Sequence, residues 1–403
     1  MADVRPFRAL RPRNDVAARV IAPPYDVLTD AEARQLGGDP LCFVRVTRSE
    51  VDLPVGTDPH SDAAYRQART NLDAMTGDTL VRDEAPTYYL YGQVMGSHRQ
   101  MGFIAATSVS EYDGGAIKKH EFTRPDKEDD RTHHMEVLDA QVGLVFLTYR
   151  PTERLNALAA EVSAGAPEWR VTTPDGVEHA LWVAPADRVA AIQAAFEEVP
   201  ALYIADGHHR SAAASRVHAN RSDDASAYFL AGLFPSDALY VMAYNRVVHD
   251  LHGHTPEAFM SAVRERFEVA PADAPIPQSR GTVTMYLGGT WWLLTPRPGL
   301  FDAADPVARL DVSVLQDHLL QPLLGIEDPR RSERIGFLGG IRGPEALVAA
   351  VDSGASAVAF HMYPTGLDQL LDVADAGEVM PPKSTWFEPK LREGVVVRSL
   401  SGE

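Results

Sequence analysis

The sequence predicts an α+β fold with mixed sheets and flanking helices, and three observations point to it. Residues 87–94 and 100–108 alternate apolar and polar side chains around Gly96-Ser97, the pattern of a two-stranded hairpin. Residues 201–205 form an apolar run that ends in Asp206-Gly207 and continues into the Ala-rich stretch 208–220, a strand, a tight turn and a helix. The final hundred residues then alternate short β-branched runs with helical periodicity. A chain of 403 residues corresponds to two or three domains at roughly 150 residues each. Its 45% apolar and 23% charged content is that of a folded protein.

The remaining elements follow in order. Residues 4–27 read as extended pieces broken by Pro6, Pro12, Pro23 and Pro24, and 41–47 as a short strand. Ser61 caps a helix over 61–76, with Gly77 just past its end. A polar loop is expected over 111–130, a helix over 133–141 and a buried strand over 143–149. Helices at 152–164 and 185–197 flank a hairpin at 170–173 and 179–183. Strands follow at 227–233 and 239–248, a helix at 256–267, and a hairpin at 281–294 turning at Gly288-Gly289. After these come helices at 312–323, 344–353 and 367–376, and strands at 334–338, 357–361 and 395–400. Two regions are expected, 1–245 and 246–403.

Composition removes several function classes. Lys and Arg number 38 against 56 Asp and Glu, a net charge of −18, and a nucleic-acid binder normally needs a basic face to displace counterions from phosphates. The most basic segment, 117–131, interleaves its Lys and Arg with acids. A small anionic ligand remains compatible with this charge, because a pocket can oppose the global field. One cysteine, Cys42, can form neither an internal disulfide nor a four-cysteine zinc site. The N-terminal stretch has no apolar h-region, and no run reaches the length of a membrane span. The expected compartment is the cytoplasm, with neither nucleic acid nor membrane as partner.

Chemistry concentrates in three places. In ALYIADGHHRSAAASR (201–216), Gly207 permits a turn that a Cβ would hinder. His208, His209, Arg210 and Ser211 then occupy the first turn of a helix, where free amides and the dipole favour an anion. An Asp206 cap with two solvated histidines is the plainer alternative; the clustering of cations favours phosphate or carboxylate. The second place, Lys118-Lys119-His120-Glu121-Phe122-Thr123-Arg124 with Lys127 and Arg131, packs both charge signs, a histidine and a hydroxyl into one segment. Glu121 would serve there as general base or Mg²⁺ ligand, with the cations on phosphates; a solvated loop laced with ion pairs is the alternative. The third, Lys383-Ser384-Thr385, resembles the end of a phosphate-binding loop, but Pro382 stands where that loop needs glycine, so any anion would be held by another geometry. Asp26 lies in a proline-stiffened turn and is either a cap or an acid presented to a site. Zinc hydrolase, Rossmann and serine-hydrolase signatures are absent, and His249, His252 and His254 lack a wider ligand pattern.

The ordered motifs RPFRALRP (5–12), APPYDV (22–27), HEFTRPDKEDDR (120–131), IADGHHR (204–210), LDVSVLQDHLLQPLLGI (310–326) and MPPKSTWFEPK (380–390) span the chain. Together they resemble a bacterial and archaeal family catalogued as a conserved domain of unknown function (DUF1015). Its DGHHR element is similar to the nucleotide-binding motif of the ParB/sulfiredoxin superfamily, which includes SerK-like free-serine kinases that use ADP. The resemblance implies a ParB/sulfiredoxin-like core with large additions, with nucleotide binding in 1–245 and a contribution to the site from 246–403. It implies that Asp206 to Ser211 hold nucleotide phosphates. Sulfiredoxin chemistry is disfavoured, since His208 stands where its cysteine would be, and DNA partition is disfavoured by the net charge.

The expected function is therefore a nucleotide-dependent phosphotransferase acting on a small hydroxyl-bearing metabolite, free L-serine first, with ADP or ATP as donor and Mg²⁺. Glu121 is the first candidate base, accompanied by His120, with Asp26 second. Lys119, Thr123, Arg124, Lys127, Arg131, Lys383, Ser384 and Thr385 are the expected substrate or phosphate contacts. A non-catalytic nucleotide sensor and a nucleotide hydrolase are the alternatives.

Overall fold

The computed structural model describes residues 2–401, and the architecture is α+β with mixed sheets. Spatial clustering divides it into two units. Within the described residues, the first holds those up to Lys119, Thr123–Leu239 and those from Pro389 on; the second holds His120–Phe122 and Tyr240–Glu388. Set beside the expected regions 1–245 and 246–403, the main crossing falls between Leu239 and Tyr240, and the segment from Pro389 returns to the first unit. It is tied there by bridges between Ala22 and Glu393 and between Leu10 and Val397, and by Arg398–Ser399 pairing with Ala140–Gln141.

In the first unit the strands are β1 (Val4–Arg5), β2 (Tyr89–Met95), β3 (His98–Ser108), β4 (Ile117–Lys118), β5 (Val145–Tyr149), β6 (Trp169–Thr172), β7 (Glu178–Val183), β8 (Leu202–Asp206) and β9 (Tyr228–Pro235). They form one sheet in the order β4-β8-β5-β9-β3-β2-β7-β6, with β1 beside β3. The hairpin β2–β3 turns at Gly96-Ser97 with Met95 opposite His98, where the alternation placed it. Two pairings are parallel, β9 with β5 and β4 with β8. The helices α1 (Asp62–Met75), α2 (Pro125–Leu138), α3 (Glu153–Ser163), α4 (Val189–Glu197) and α5 (His208–Arg221) accompany the sheet. Leu155 and Leu158 of α3, Phe196 of α4 and Ala212 of α5 bury into one cluster with Leu90, Phe103 and Leu147 of the strands. A second cluster gathers Phe43, Val44 and Val46 with Leu72 and Met75 of α1 and Leu138 of α2.

Two expected elements are corrected. Residues 41–47 are not a strand: Val44–Thr47 is a short helix. The alternation in VRVT suits a strand, yet Thr47 N–H bonds back to the Phe43 carbonyl while Phe43 itself reaches Val20, so packing overrides local preference. The loop expected over 111–130 is shorter, because α2 begins at Pro125 rather than at 133. Pro125 suits the first helical position and Asp126 and Glu128 suit its positive end. The apolar pattern concealed this start, since α2 buries polar groups, Asp130, Thr132 and His134.

The second unit has an antiparallel sheet of β10 (Tyr244–Val248), β11 (Phe267–Pro271), β12 (Val283–Leu287), β13 (Thr290–Pro296), β14 (Ile335–Gly339) and β15 (Val358–Met362). Their order is β11-β13-β12-β15-β10-β14. Leu347, from the helix Gly343–Asp352, packs with Val247, Tyr286 and Ala359 on one face. Tyr240–Met242 pairs separately with Trp386–Glu388. Among the described residues, no helix is long and apolar enough to cross a membrane.

Candidate functional site

Strand β8 delivers the chain to Asp206, and Gly207 turns it into α5 with φ of 95°. A Cβ at Gly207 would stand 3.3 Å from Val145 Cα, so both the left-handed backbone and the close approach require glycine. No side chain caps the first turn of α5, which leaves its leading amides available to an acceptor. Asp206 Oδ1 accepts the Gly207 N–H at 2.8 Å, and Oδ2 meets Lys390 Nζ at 3.0 Å. Burial works against the Asp206 charge, but Lys390 and Arg210 outweigh it and hold the carboxyl well below the usual carboxylate range.

Arg210 does not project from the helix start. Its Nη1 donates to the Leu144 carbonyl at 2.8 Å and its Nη2 to Glu393 at 3.4 Å, with the guanidinium 5.5 Å from the Tyr25 ring centre. Burial opposes its charge, but Glu393 and Asp26 raise it above the ordinary arginine value. Burial conversely lifts the Glu393 carboxyl against the pull of Arg210. Arg131 pairs with Asp130 at 2.7 Å and lies 4.1 Å from the same Tyr25 ring centre. Asp130 also accepts from Tyr65 at 2.7 Å and bonds His60 at 2.9 Å. Between these groups is a cavity of ≈ 30 Å³ lined by Tyr25, Thr47, Arg131, His134, Arg210 and Glu393 among others, about the room of one water. Asp26 is exposed in the turn Tyr25–Val27.

The second sequence motif arrives at the same end of the sheet. Because β4 runs parallel to β8, with Lys118 opposite Tyr203, the chain after both strands leaves at one edge. Lys119 is seated 3.6 Å over the Tyr112 ring, where burial lowers its ammonium below the ordinary lysine value. Arg124 then donates its backbone N–H to His209 Nε2 at 3.1 Å. Thr123 bonds the Glu128 carboxylate, Lys127 is half-buried, and Arg216 of α5 reaches Asp129 at 2.6 Å, holding α2 to α5. His208 and Ser211 are buried, with the Ser211 hydroxyl on the His208 carbonyl at 3.0 Å.

The other expected residues belong to the second unit. There the Met380 N–H donates to the His120 carbonyl at 2.8 Å, and Glu121 acts on the charge of Arg330. Lys383 is exposed with φ of 59°. Ser384 is buried, bonding the Pro381 carbonyl at 2.5 Å and receiving the Thr365 hydroxyl at 2.8 Å. Thr385 is half-buried at the entry to the strand Trp386–Glu388.

Residues 4–313 match the model of a family described as Protein of unknown function (DUF1015). The chain belongs to the DUF1015 family. No curated protein matches it by sequence. Among solved structures, it is similar to SbnI with a C-terminal truncation from Staphylococcus aureus, at 11% identity over 72% of this chain and 84% of that one, with a TM-score of 0.39. A free serine kinase in complex with AMP is similar at 12% identity over 71% and 86%, TM-score 0.35. A conserved hypothetical protein from Pyrococcus furiosus is similar at 11% identity over 71% and 90%, TM-score 0.34.

In this DUF1015 protein the first unit thus presents an uncapped helix start flanked by cations, an arrangement able to receive an oxyanion. Sequence reasoning missed Lys390 and Glu393, which pair with Asp206 and Arg210. The available signal was charge order alone: an acid and a base four residues apart, matched near the other end of the chain by a base and an acid three apart.

Proposed function

We propose that this DUF1015 protein is a nucleotide-dependent phosphotransferase, SerK-like in its ParB/sulfiredoxin-type motif, acting on a small hydroxyl-bearing metabolite. The observation that carries the reading is the parallel pairing of β4 with β8, which brings two polar motifs some eighty residues apart to the same carboxyl edge of a sheet. Such edges are where open sheets receive ligands. In this reading the amides after Gly207 receive a phosphate, His209 is aligned by the Arg124 amide, and Lys119, Arg124 and Lys127 offset charge that develops during transfer. Arg131 and Arg210 support the site from behind, since both are committed to carboxylates within the unit.

Mg²⁺ would enter with the nucleotide and supply positive charge against its phosphates. Asp206 does not fit as a ligand, because one oxygen takes the Gly207 amide and the other Lys390. Glu121, His120 and Asp26 remain the candidate acid–base groups, with free L-serine the first acceptor to try.

The test is calorimetric titration with ADP and ATP in Mg²⁺, on wild type and His209→Ala, followed by transfer assays. Binding weakened at least about tenfold by His209→Ala supports the site, a loss of 1.4 kcal/mol per decade. Glu121→Gln that binds nucleotide yet transfers nothing assigns the base. Absence of binding to either nucleotide overturns the reading, and binding without phosphoryl transfer to any hydroxylated acceptor makes the protein a sensor.

A further inference from the structure

The cavity of ≈ 30 Å³ in the first unit has two polar atoms in its lining residues that the surrounding protein leaves unsatisfied. Thr47 is 5% and Glu393 3% exposed, and neither Thr47 Oγ1 nor Glu393 Oε2 has a hydrogen-bond partner among the described residues. The Thr47 hydroxyl lies close enough to the Glu393 carboxylate to favour its charge, yet the two do not meet as a hydrogen bond. Buried polar atoms are almost always bonded, because one left unpaired forfeits its hydration without return.

Two fixed backbones keep these oxygens apart. The Ala22 N–H donates to the Glu393 carbonyl at 3.0 Å, and the Glu393 N–H donates to the Ala22 carbonyl at 2.9 Å. Gly394 follows with φ of 77°, and a Cβ there would stand 2.7 Å from the Phe43 ring. Glycine therefore lets this segment lie against the residue that precedes Val44–Thr47. Thr47 closes that short helix, with its N–H on the Phe43 carbonyl at 3.3 Å. The other carboxylate oxygen, Glu393 Oε1, is committed to Arg210. Gly143, also in the cavity lining, leaves the guanidinium room, since a Cβ there would lie 3.1 Å from Arg210 Nε.

Charge selects what this space can hold. Arg131 and Arg210 both line it, so a cation would meet two guanidinium groups. An unbonded carboxylate oxygen belongs to the same lining, so an anion would meet its lone pairs. What remains is a neutral molecule able to donate to Glu393 Oε2 and to bond the Thr47 hydroxyl, in the volume of one water. We propose that the cavity is an internal water site: the water donates to Glu393 Oε2, bonds Thr47 Oγ1, and thereby positions the carboxylate that holds Arg210. Arg210 lies in the first turn of α5, where its N–H and that of Ser211 bond the Gly207 carbonyl at 2.9 and 3.1 Å. Through Glu393 the water thus links the Val44–Thr47 helix to the start of α5. The inference does not require the phosphotransferase reading.

The experiment is a high-resolution crystal structure of the full-length protein, with Thr47→Val and Thr47→Ser beside it. The expected result is one fully occupied water within hydrogen-bond distance of both oxygens, kept in Thr47→Ser and lost in Thr47→Val, which has the same shape without the hydroxyl. In solution, oxygen-17 relaxation dispersion counts long-lived internal waters, and the count falls by one in Thr47→Val. That variant also lowers the ratio of folded to unfolded protein about 5- to 30-fold, because Oε2 is then buried unpaired. Amide hydrogen exchange at Arg210 and Ser211 quickens in Thr47→Val and stays as in wild type in Thr47→Ser. A direct Thr47–Glu393 hydrogen bond with no water between, an ion in the cavity, or a Thr47→Val variant that keeps the water and the exchange pattern would each overturn the proposal. The wild-type and Thr47→Ser structures decide it even if Thr47→Val does not fold.

Discussion

In the first unit the half-buried Arg210 faces Glu393, whereas in the second Arg246 is buried and, among the described residues, donates to the carbonyl oxygens of Tyr244 and Lys383. The contrast separates two ways of placing a cation beneath a polar turn. At Arg210 the charge is compensated, so the side chain is a structural strut for the strand–turn–helix and its own positive field is spent. At Arg246 burial works against the charge while neutral carbonyl oxygens take its bonds, so the protein bears a desolvation cost there. Lys390 is neutralised by Asp206, and Lys383 rests over the ring of Tyr244.

The variant that would do most to break this comparison is Glu393→Ala. It leaves the half-buried Arg210 without its paired carboxylate, though Asp26 and Asp206 still act on it, and is expected to cost about 2–3 kcal/mol, measured by urea unfolding; a loss under 1 kcal/mol would show that Arg210 is not held by charge. Next is Gly207→Ala, where the positive φ and the contact with Val145 predict a loss of roughly 1–2 kcal/mol, with a matching loss of nucleotide binding if the turn shapes the site.

The cavity wall supplies a pH test. Burial, reinforced by Arg131, holds His134 at about 3, below its ordinary 6.5. The folded state therefore refuses a proton that the unfolded state accepts below pH 6.5. Stability from this group is complete above that value and falls by about 1.4 kcal/mol per pH unit as pH drops toward 3. His134→Gln, which can still donate to the Val46 carbonyl, should reduce proton uptake on unfolding near pH 4.5 by about one; an unchanged pH slope would contradict the assignment. Asp206, whose carboxyl is depressed, adds its own loss only at the acid end of that range.

The smallest effect is expected at Arg246→Met. Loss of two bonds to carbonyls is offset by relief of an unpaired buried charge, so the net change should stay within about 1 kcal/mol. If it approached the Glu393→Ala cost, the two arginines would be doing the same work and the comparison would fail.

Much of the fold was legible because its signals are local. The β2–β3 hairpin was visible from alternation and Gly96, and β8–Gly207–α5 from an apolar run, a turn and an Ala-rich stretch. The start of α2 was not, because a helix that buries Asp130, Thr132 and His134 carries no apolar stripe. Val44–Thr47 misled for the opposite reason, since its alternation was real but its backbone bonds close within the segment, Thr47 N–H onto the Phe43 carbonyl.

By itself, the sequence determined where charge and turn-forming residues are concentrated: Gly207 at a strand end, cations on either side of Glu121, and Lys383 behind two prolines. These follow from residue type and short spacing, which local physics reads directly. Only the tertiary structure decided which charges are spent and which remain. Whether Arg210 faces a ligand or Glu393, and whether Arg246 has a counter-charge at all, depends on partners that are many residues away along the chain. Electrostatic compensation is a property of distance in space and of burial, and neither is written in the order of residues.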